Sequence, residues 1–156
     1  MFLSSAAVPA DSTIALRHAH QGVGGDNVAP DLSWGDAPEQ TRSFLVTCYD
    51  PDAPTGSGWW HWVVSDLPVD VTSLPEGGAL PDGARDWPTD YGVPGWGGPW
   101  PPPGHGAHHY HFRVAALDVE RLDVPDDAPR AAVLLEAGFH TIADAEFVAL
   151  FTNPRG

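Results

Sequence analysis

The stretch Ser43-Phe-Leu-Val-Thr-Cys-Tyr-Asp-Pro-Asp-Ala-Pro54 runs from a nearly all-apolar segment straight into a turn holding two carboxylates and two prolines. Ser43–Tyr49 reads as a strand buried on both faces, because apolar residues fill both positions of the period-two pattern. Asp50-Pro51 stops it. After the turn Pro54–Gly58 comes Trp59-Trp-His-Trp62. Trp60–Ser65 therefore reads as the returning strand of a hairpin. Alternation puts Trp60, Trp62 and Val64 on one face and His61 and Val63 on the other.

Outward from this hairpin the chain keeps the same character. Ile14–His20 and Asp31–Trp34 read as short strands, with the Gly/Asn/Asp turn region Gln21–Pro30 between them. Pro68–Pro81 reads as linker. His109–Leu117 alternates, with Tyr110, Phe112, Val114 and Ala116 on one face and His109, His111 and Arg113 on the other. Asp126-Asp-Ala-Pro129 has the form of a helix start, with acids near the first turn and proline at a tolerated position. Ala131–Ala137 continues that helix and Gly138 is placed to end it. Phe139–Ala145 fits a second helical turn or an irregular link, and Glu146–Thr152 a last strand. No internal repeat is present. The fold expected is mainly β, an antiparallel β-sandwich with short peripheral helices, in a single domain over residues 1–156.

Composition narrows the partners. The chain has 156 residues, 42% apolar and 18% charged, with seventeen glycines and seventeen prolines. That many turn formers in so short a chain agree with a strand-rich fold. The net charge of −14 comes from seven Arg, no Lys and twenty-one Asp plus Glu. Such a field repels polyanions, so nucleic acid and anionic lipid surfaces are poor partners, while one small anion in a local pocket is still permitted. Cys48 is the only cysteine and can form no intrachain disulfide. This fits a cytoplasmic location. The N-terminal residues lack the basic n-region of a signal peptide, and no run approaches the roughly 18 apolar residues of a membrane span.

Candidate chemistry gathers in three places: Asp50 and Asp52, His61, and the loop from Gly98 to Tyr110 with His105, His108 and His109. Six of the seven tryptophans lie between Trp59 and Trp100. A polar cluster walled by indoles has the make-up of a small-ligand pocket. Each element also has a plainer reading. Asp50 and Asp52 could serve only the turn, and a strand histidine is more often a hydrogen-bonded core residue than a ligand. His109 and His111 share a strand face, as in a His-x-His metal site, but the downstream glutamate such sites use is missing, and Cys-ligated zinc is ruled out by the single Cys48. No nucleophile elbow, Walker loop or dinucleotide fingerprint occurs, so no cofactor is implied. Three functions stay open from these residues: a binding protein, a hydrolase using Asp50 and His61, and a protein-interaction module whose pocket is vestigial.

Four segments together resemble the phosphatidylethanolamine-binding protein family, and more closely its prokaryotic branch, the Raf kinase inhibitor-like proteins. They are Asn27-Val-Ala-Pro-Asp-Leu-Ser-Trp34, Asp50-Pro-Asp-Ala-Pro54 with Trp59-Trp-His-Trp62, Gly97-Gly-Pro-Trp-Pro-Pro-Pro-Gly-His-Gly-Ala-His-His-Tyr110, and Phe139–Phe151. The resemblance implies a β-sandwich with a small anion pocket that accepts phosphate-like groups. It assigns Asp50, Asp52 and Pro54 to the signature turn, His61 and His108 to the two pocket histidines, Gly98 to the glycine where the backbone approaches the anion, and Tyr110 to the pocket tyrosine. It implies a cis Ala53–Pro54 bond. It also implies a non-enzymatic protein that binds a small anion or phospho-head-group and uses no metal or cofactor. A protein partner is left unidentified.

Two residues depart from the family pattern: His109 stands where Arg is usual, and Trp100 where a small residue or Cys is common. The first weakens a cationic contact, and the second narrows the pocket mouth. The long C-terminal helix of eukaryotic members has no counterpart, so kinase regulation is not implied. On this reading Asp50 orients a histidine and raises its pKa, giving a cationic imidazole for the anion.

Overall fold

The computed structural model describes residues 1–155. Strands β1 (Phe2–Ser4), β2 (Leu32–Gly35) and β5 (Ser73–Leu74) form a small antiparallel sheet in the order β1-β2-β5. Strands β3 (Ser43–Asp50), β4 (Trp59–Pro68), β6 (Arg85–Asp86), β7 (His108–Leu117) and β8 (Thr141–Phe151) form a larger antiparallel one, ordered β6-β4-β3-β7-β8. One helix, α1 (Arg130–His140), covers part of the large sheet's outer face. The architecture is the mainly β, antiparallel sandwich expected.

Strand β3 sits mid-sheet and is buried over most of its length, which accounts for its unbroken apolar run. Phe44, Val46 and Cys48 face the inner core with Trp62, Val64, Tyr110, Phe112 and the small sheet's Leu32, Trp34 and Leu74. Leu45 faces the outer core with Val63, Ala115, Leu117 and the helix residues Val133 and Ala137. Each such large side chain, fully buried, contributes about 1.5–3 kcal/mol.

Four local expectations are corrected. Ile14–His20 is no strand: Thr13 makes one bridge to Leu150, and Leu16–His18 closes a 3₁₀ turn. Pro68–Pro81 is more than linker, since β5 pairs with β2 there. Gly138 does not end α1, whose last turn is held by tertiary partners: the Thr141 hydroxyl donates to Ala137 O and the Asp118 N–H to His140 O. Phe139–Ala145 holds no second helix; β8 begins at Thr141, because its partner β7 is long enough to pair with all of it.

The fifth correction matters for function. Along β4, Trp62 pairs with Cys48 and Trp60 with Tyr49, so His61 is an extra residue without a partner. This bulge breaks the alternation. Trp60 turns to the outer core with Val63, while His61 joins Trp62 on the inner side, against Tyr110 and Trp96. A second bulge in β4 lies near Asp66, which adopts a left-handed conformation (φ 58°). Among the described residues no helix is long and apolar enough to cross a membrane.

Candidate functional site

The β3–β4 hairpin, the start of β7 and the loop Trp87–Pro102 enclose a half-open cavity of about 420 Å³. That is within the usual size of small-ligand pockets. Its polar lining is Asp50, Thr55, Asp90, Tyr91, His61 and His108; Trp59, Trp100 and a set of prolines, Pro54 among them, make the apolar wall. No Lys or Arg lines it.

The turn that starts the site is locally determined. Asp50 Oδ1 accepts from the Asp52 N–H at 2.8 Å and the Thr55 N–H donates to Ala53 O, which reverses the chain with every peptide bond trans. The expected cis Ala53–Pro54 bond is therefore absent; these turn bonds close the reversal without it. Gly58 has φ 69°, and a Cβ there would run into Tyr49 and the Asp50 carbonyl, so the hairpin can close only on glycine.

Asp50 is 2% exposed, and its other oxygen, Oδ2, accepts from His108 Nδ1 at 2.7 Å. His108 Nε2 lies 2.6 Å from Nδ1 of the exposed His105. A relay thus runs from buried carboxylate through buried imidazole to the surface. The histidine that Asp50 orients is His108, whereas the sequence-based hydrolase reading paired Asp50 with His61.

His61 is held differently. Its Nδ1 lies 2.5 Å from Gly97 O, and its own carbonyl accepts from the Gly97 N–H at 2.9 Å. A carbonyl only accepts, so Nδ1 carries the proton and Nε2 presents a lone pair. Burial pushes the His61 pKa down to about 4, outweighing the hydrogen bond to Gly97 and the charges of Asp50 and Asp90. His61 is therefore neutral at pH 7. The expectation of a cationic imidazole fails at this position, because desolvation dominates where no carboxylate touches the ring.

Tyr110 stands behind His61, with ring centroids 5.1 Å apart. Burial first, and then the Asp50 charge, raises its phenol far above the ordinary range, so it stays a donor. His61 Nε2, Tyr110 Oη and Trp59 Nε1 are all buried and without a partner. Native structures leave few such atoms, and each calls for an explanation.

The other sequence-predicted residues lie at the periphery. Asp52 is on the surface side, where its Oδ2 accepts from both the backbone N–H and Nδ1 of His109 at 2.7 Å. Desolvation raises its pKa, but these two bonds outweigh that and lower it overall. His109 thus ties the turn to β7. Gly98 does not line the cavity, against expectation: what it approaches is the protein's own backbone, and a Cβ there would overlap His18, Ala19 and His20. Its N–H donates to Asn27 Oδ1 at 2.6 Å and its carbonyl accepts from the Tyr91 hydroxyl at 2.8 Å.

Sequence reasoning missed Asp90, Tyr91 and His20. Asp90 accepts from the Trp60 N–H and pairs with Arg130 at 2.8 Å. His20 is stacked between Tyr91 and Trp100 at 4.7 and 4.6 Å, fixing two cavity walls from behind. Trp100 is half exposed at the mouth and packs over Gly22. Nothing in the sequence near His20 marks it, since its partners are distant.

Comparison with known proteins identifies the family and its fold. The family model described as phosphatidylethanolamine-binding protein matches residues 4–152. The UPF0098 protein YbhB of Escherichia coli is 50% identical over 143 residues, which is 87% of this chain and 90% of that one. The crystal structure of E. coli YbcL, described as a new member of the mammalian PEBP family, superposes with a TM-score of 0.91 at 40% identity, covering 97% of each chain. A phosphatidylethanolamine-binding protein homologue from Chlamydia trachomatis gives a TM-score of 0.82 at 30% identity, over 95% of this chain and 94% of that one. The chain belongs to the phosphatidylethanolamine-binding protein family, on its prokaryotic side.

Proposed function

We propose that this is a cytoplasmic, non-enzymatic binding protein whose cavity takes a small oxyanion, of the kind found on a phospho-head-group. The observation that carries the reading is the trio of buried, unpartnered polar atoms, His61 Nε2, Tyr110 Oη and Trp59 Nε1, on and beside the cavity wall. Such atoms are costly unless a ligand completes them. Two are donors, and a phosphate-like oxygen satisfies donors. The apolar rim of Trp59, Trp100 and Pro54 keeps the surroundings dry, and the family's name points to a phosphorylated head group. A binding role is also favoured over hydrolysis by the relay itself: His108 Nε2, the atom a general base would use, is already engaged by His105.

The test is a titration with inorganic phosphate followed by tryptophan emission, since Trp59 and Trp100 line the cavity. The −14 charge opposes any anion, so the expected Kd is weak, about millimolar to tens of micromolar. A signal that does not saturate by roughly 100 mM, about −1.4 kcal/mol of binding, would remove this reading.

A further inference from the structure

We infer that the open edge of β8 is a docking site for an extended, basic segment of another protein, which adds to the large sheet as a further strand. The inference does not depend on the cavity, whose lining holds no residue of β8. β8 is the outermost strand of its sheet. The protein's own chain shows that its free side accepts a strand. The Leu150 N–H donates to Ser12 O, and the N–H groups of Ile14 and Asp11 donate to Leu150 O and Val148 O. Backbone groups of alternate residues point the same way along an antiparallel strand. Asp144 and Glu146 therefore continue this outward row, and their N–H and C=O groups have no partner among the described residues.

Charge decides what fits there. Carboxylates flank the row: Asp144 and Glu146 on it, Asp11 beside Val148, and Asp118 and Glu136 around His140 where α1 leads into β8. Against these five stand Arg113, His111 and His140. Edge strands carry charge to repel other strands, but an acidic guard repels only acidic ones. The guard also leaves the backbone clear. Asp144 Oδ2 accepts from Arg113 Nε at 2.8 Å and Glu146 Oε1 lies 2.7 Å from His111 Nδ1, so both side chains are drawn back toward β7. A second copy of this chain is the wrong occupant: it would add another −14 and set like carboxylates face to face. A basic strand has neither fault. Apolar surface lies at the same end. Leu135 and Phe139 on α1 are 63% and 72% exposed, and Ile142, at the start of β8, is exposed too. Apolar side chains grouped in water and rimmed by charge mark an interaction surface. The fitting segment thus alternates Lys or Arg with apolar residues, as strand addition requires.

The experiment uses the full chain at pH 7 and three synthetic peptides of equal length: alternating lysine and valine, alternating glutamate and valine, and alternating lysine and proline. Affinity is read by anisotropy of the labelled peptide, and strand addition by amide hydrogen exchange of the protein. The lysine–valine peptide is expected to saturate with a Kd of about 1 mM or tighter. It should bind at least about tenfold more tightly than the glutamate peptide. At saturation it should slow exchange of the Asp144 and Glu146 amides by about tenfold or more. The lysine–proline peptide, which lacks half the donors a ladder needs, should leave them unprotected. The double variant Asp144→Lys/Glu146→Lys should reverse the preference toward the glutamate peptide.

Lysine–valine binding that leaves the two amides exchanging as before overturns the inference, since it is then only diffuse attraction to an acidic surface. Equal affinity for the lysine–valine and glutamate peptides, or no binding of either, overturns it as well. So does protection of these amides that rises with protein concentration alone, which assigns the edge to a second copy. Should the double variant not fold, the three peptides against the wild type still decide. Phosphate binding is untouched by any of these results.

Discussion

Strand β4 carries two bulges, and each turns a polar side chain into a buried cluster, yet the two clusters are finished differently. At the far bulge, Asp66 is closed on all sides. Its Oδ1 accepts from the Leu122 N–H, and its Oδ2 from Arg85 Nε and the Ser65 hydroxyl. Arg85 in turn donates to the carbonyls of Leu122 and Val124, and Ser65 Oγ accepts from Trp87 Nε1 at 2.8 Å. At the near bulge, His61 is anchored through one nitrogen, while the other is buried without a partner, as are Tyr110 Oη and Trp59 Nε1. The same backbone device builds a strut at one end and, on the proposed function, a receptor at the other. What separates them is hydrogen-bond completeness: a satisfied cluster can only support, whereas an unsatisfied one can recognise.

The largest expected effect tests the strut. Asp66→Ala removes one partner of a buried ion pair and leaves Arg85 Nε and the Leu122 N–H without their carboxylate. Such a change costs about 3–5 kcal/mol. Urea denaturation should show it as a lower midpoint, and phosphate affinity of the folded fraction should stay as in the wild type. An equal loss of affinity would mean that the two bulges are one cooperative unit and the comparison is wrong.

The next effect comes from pH and belongs to His61. Its folded pKa of about 4 lies below the unfolded value of about 6.5. Between these values the unfolded chain binds the proton that the folded site refuses, so stability rises with pH there. The contribution is complete above about pH 6.5 and is lost as pH falls toward 4, on the order of 3 kcal/mol at most. Denaturation midpoints at pH 7.5 and 5.0 should differ in this direction for the wild type, and the difference should shrink in His61→Phe. A wild type equally stable at both values would show that the imidazole is not buried neutral.

These two regions also differ in how far the sequence discloses them. β3, β7 and the hairpin could be read because their patterns are local: an unbroken apolar run, a clean alternation, a proline-glycine turn. Asp50, His61 and His108 could be singled out because residue type and motif mark them, and the structure brings all three round one cavity. The bulge at His61 could not be read, since it is fixed by the pairing of β4 with β3 rather than by β4 itself. For the same reason the charge state was missed. Which histidine meets Asp50 depends on a side-chain approach across β3 and β7, and that choice makes His108 the oriented imidazole and leaves His61 neutral. Asp90, Tyr91 and His20 act through stacking and capping between remote segments, and β8 hid its start behind small residues, Ala143 and Ala145, with little β signal.

The smallest effect is the sharpest on the receptor side, because its sign is opposite to that of an ordinary core mutation. Tyr110 is fully buried, and its ring packs with Trp62 and Phe112 in the inner core. Tyr110→Phe keeps the ring and deletes only the hydroxyl. If that hydroxyl had an internal partner, its loss would destabilise the fold by about 1 kcal/mol. It has none, so the change should be neutral or should stabilise the unliganded protein by up to about 1 kcal/mol. Binding should move the other way, with phosphate affinity falling by about 0.5–1.5 kcal/mol as one donor is lost. Tm without ligand and the phosphate titration together read both signs. A lower Tm with unchanged affinity would make Tyr110 a second strut, and the contrast between the two ends of β4 would not hold. A raised or level Tm with weakened binding is the mark of a site kept incomplete for its ligand, in which stability is traded for recognition.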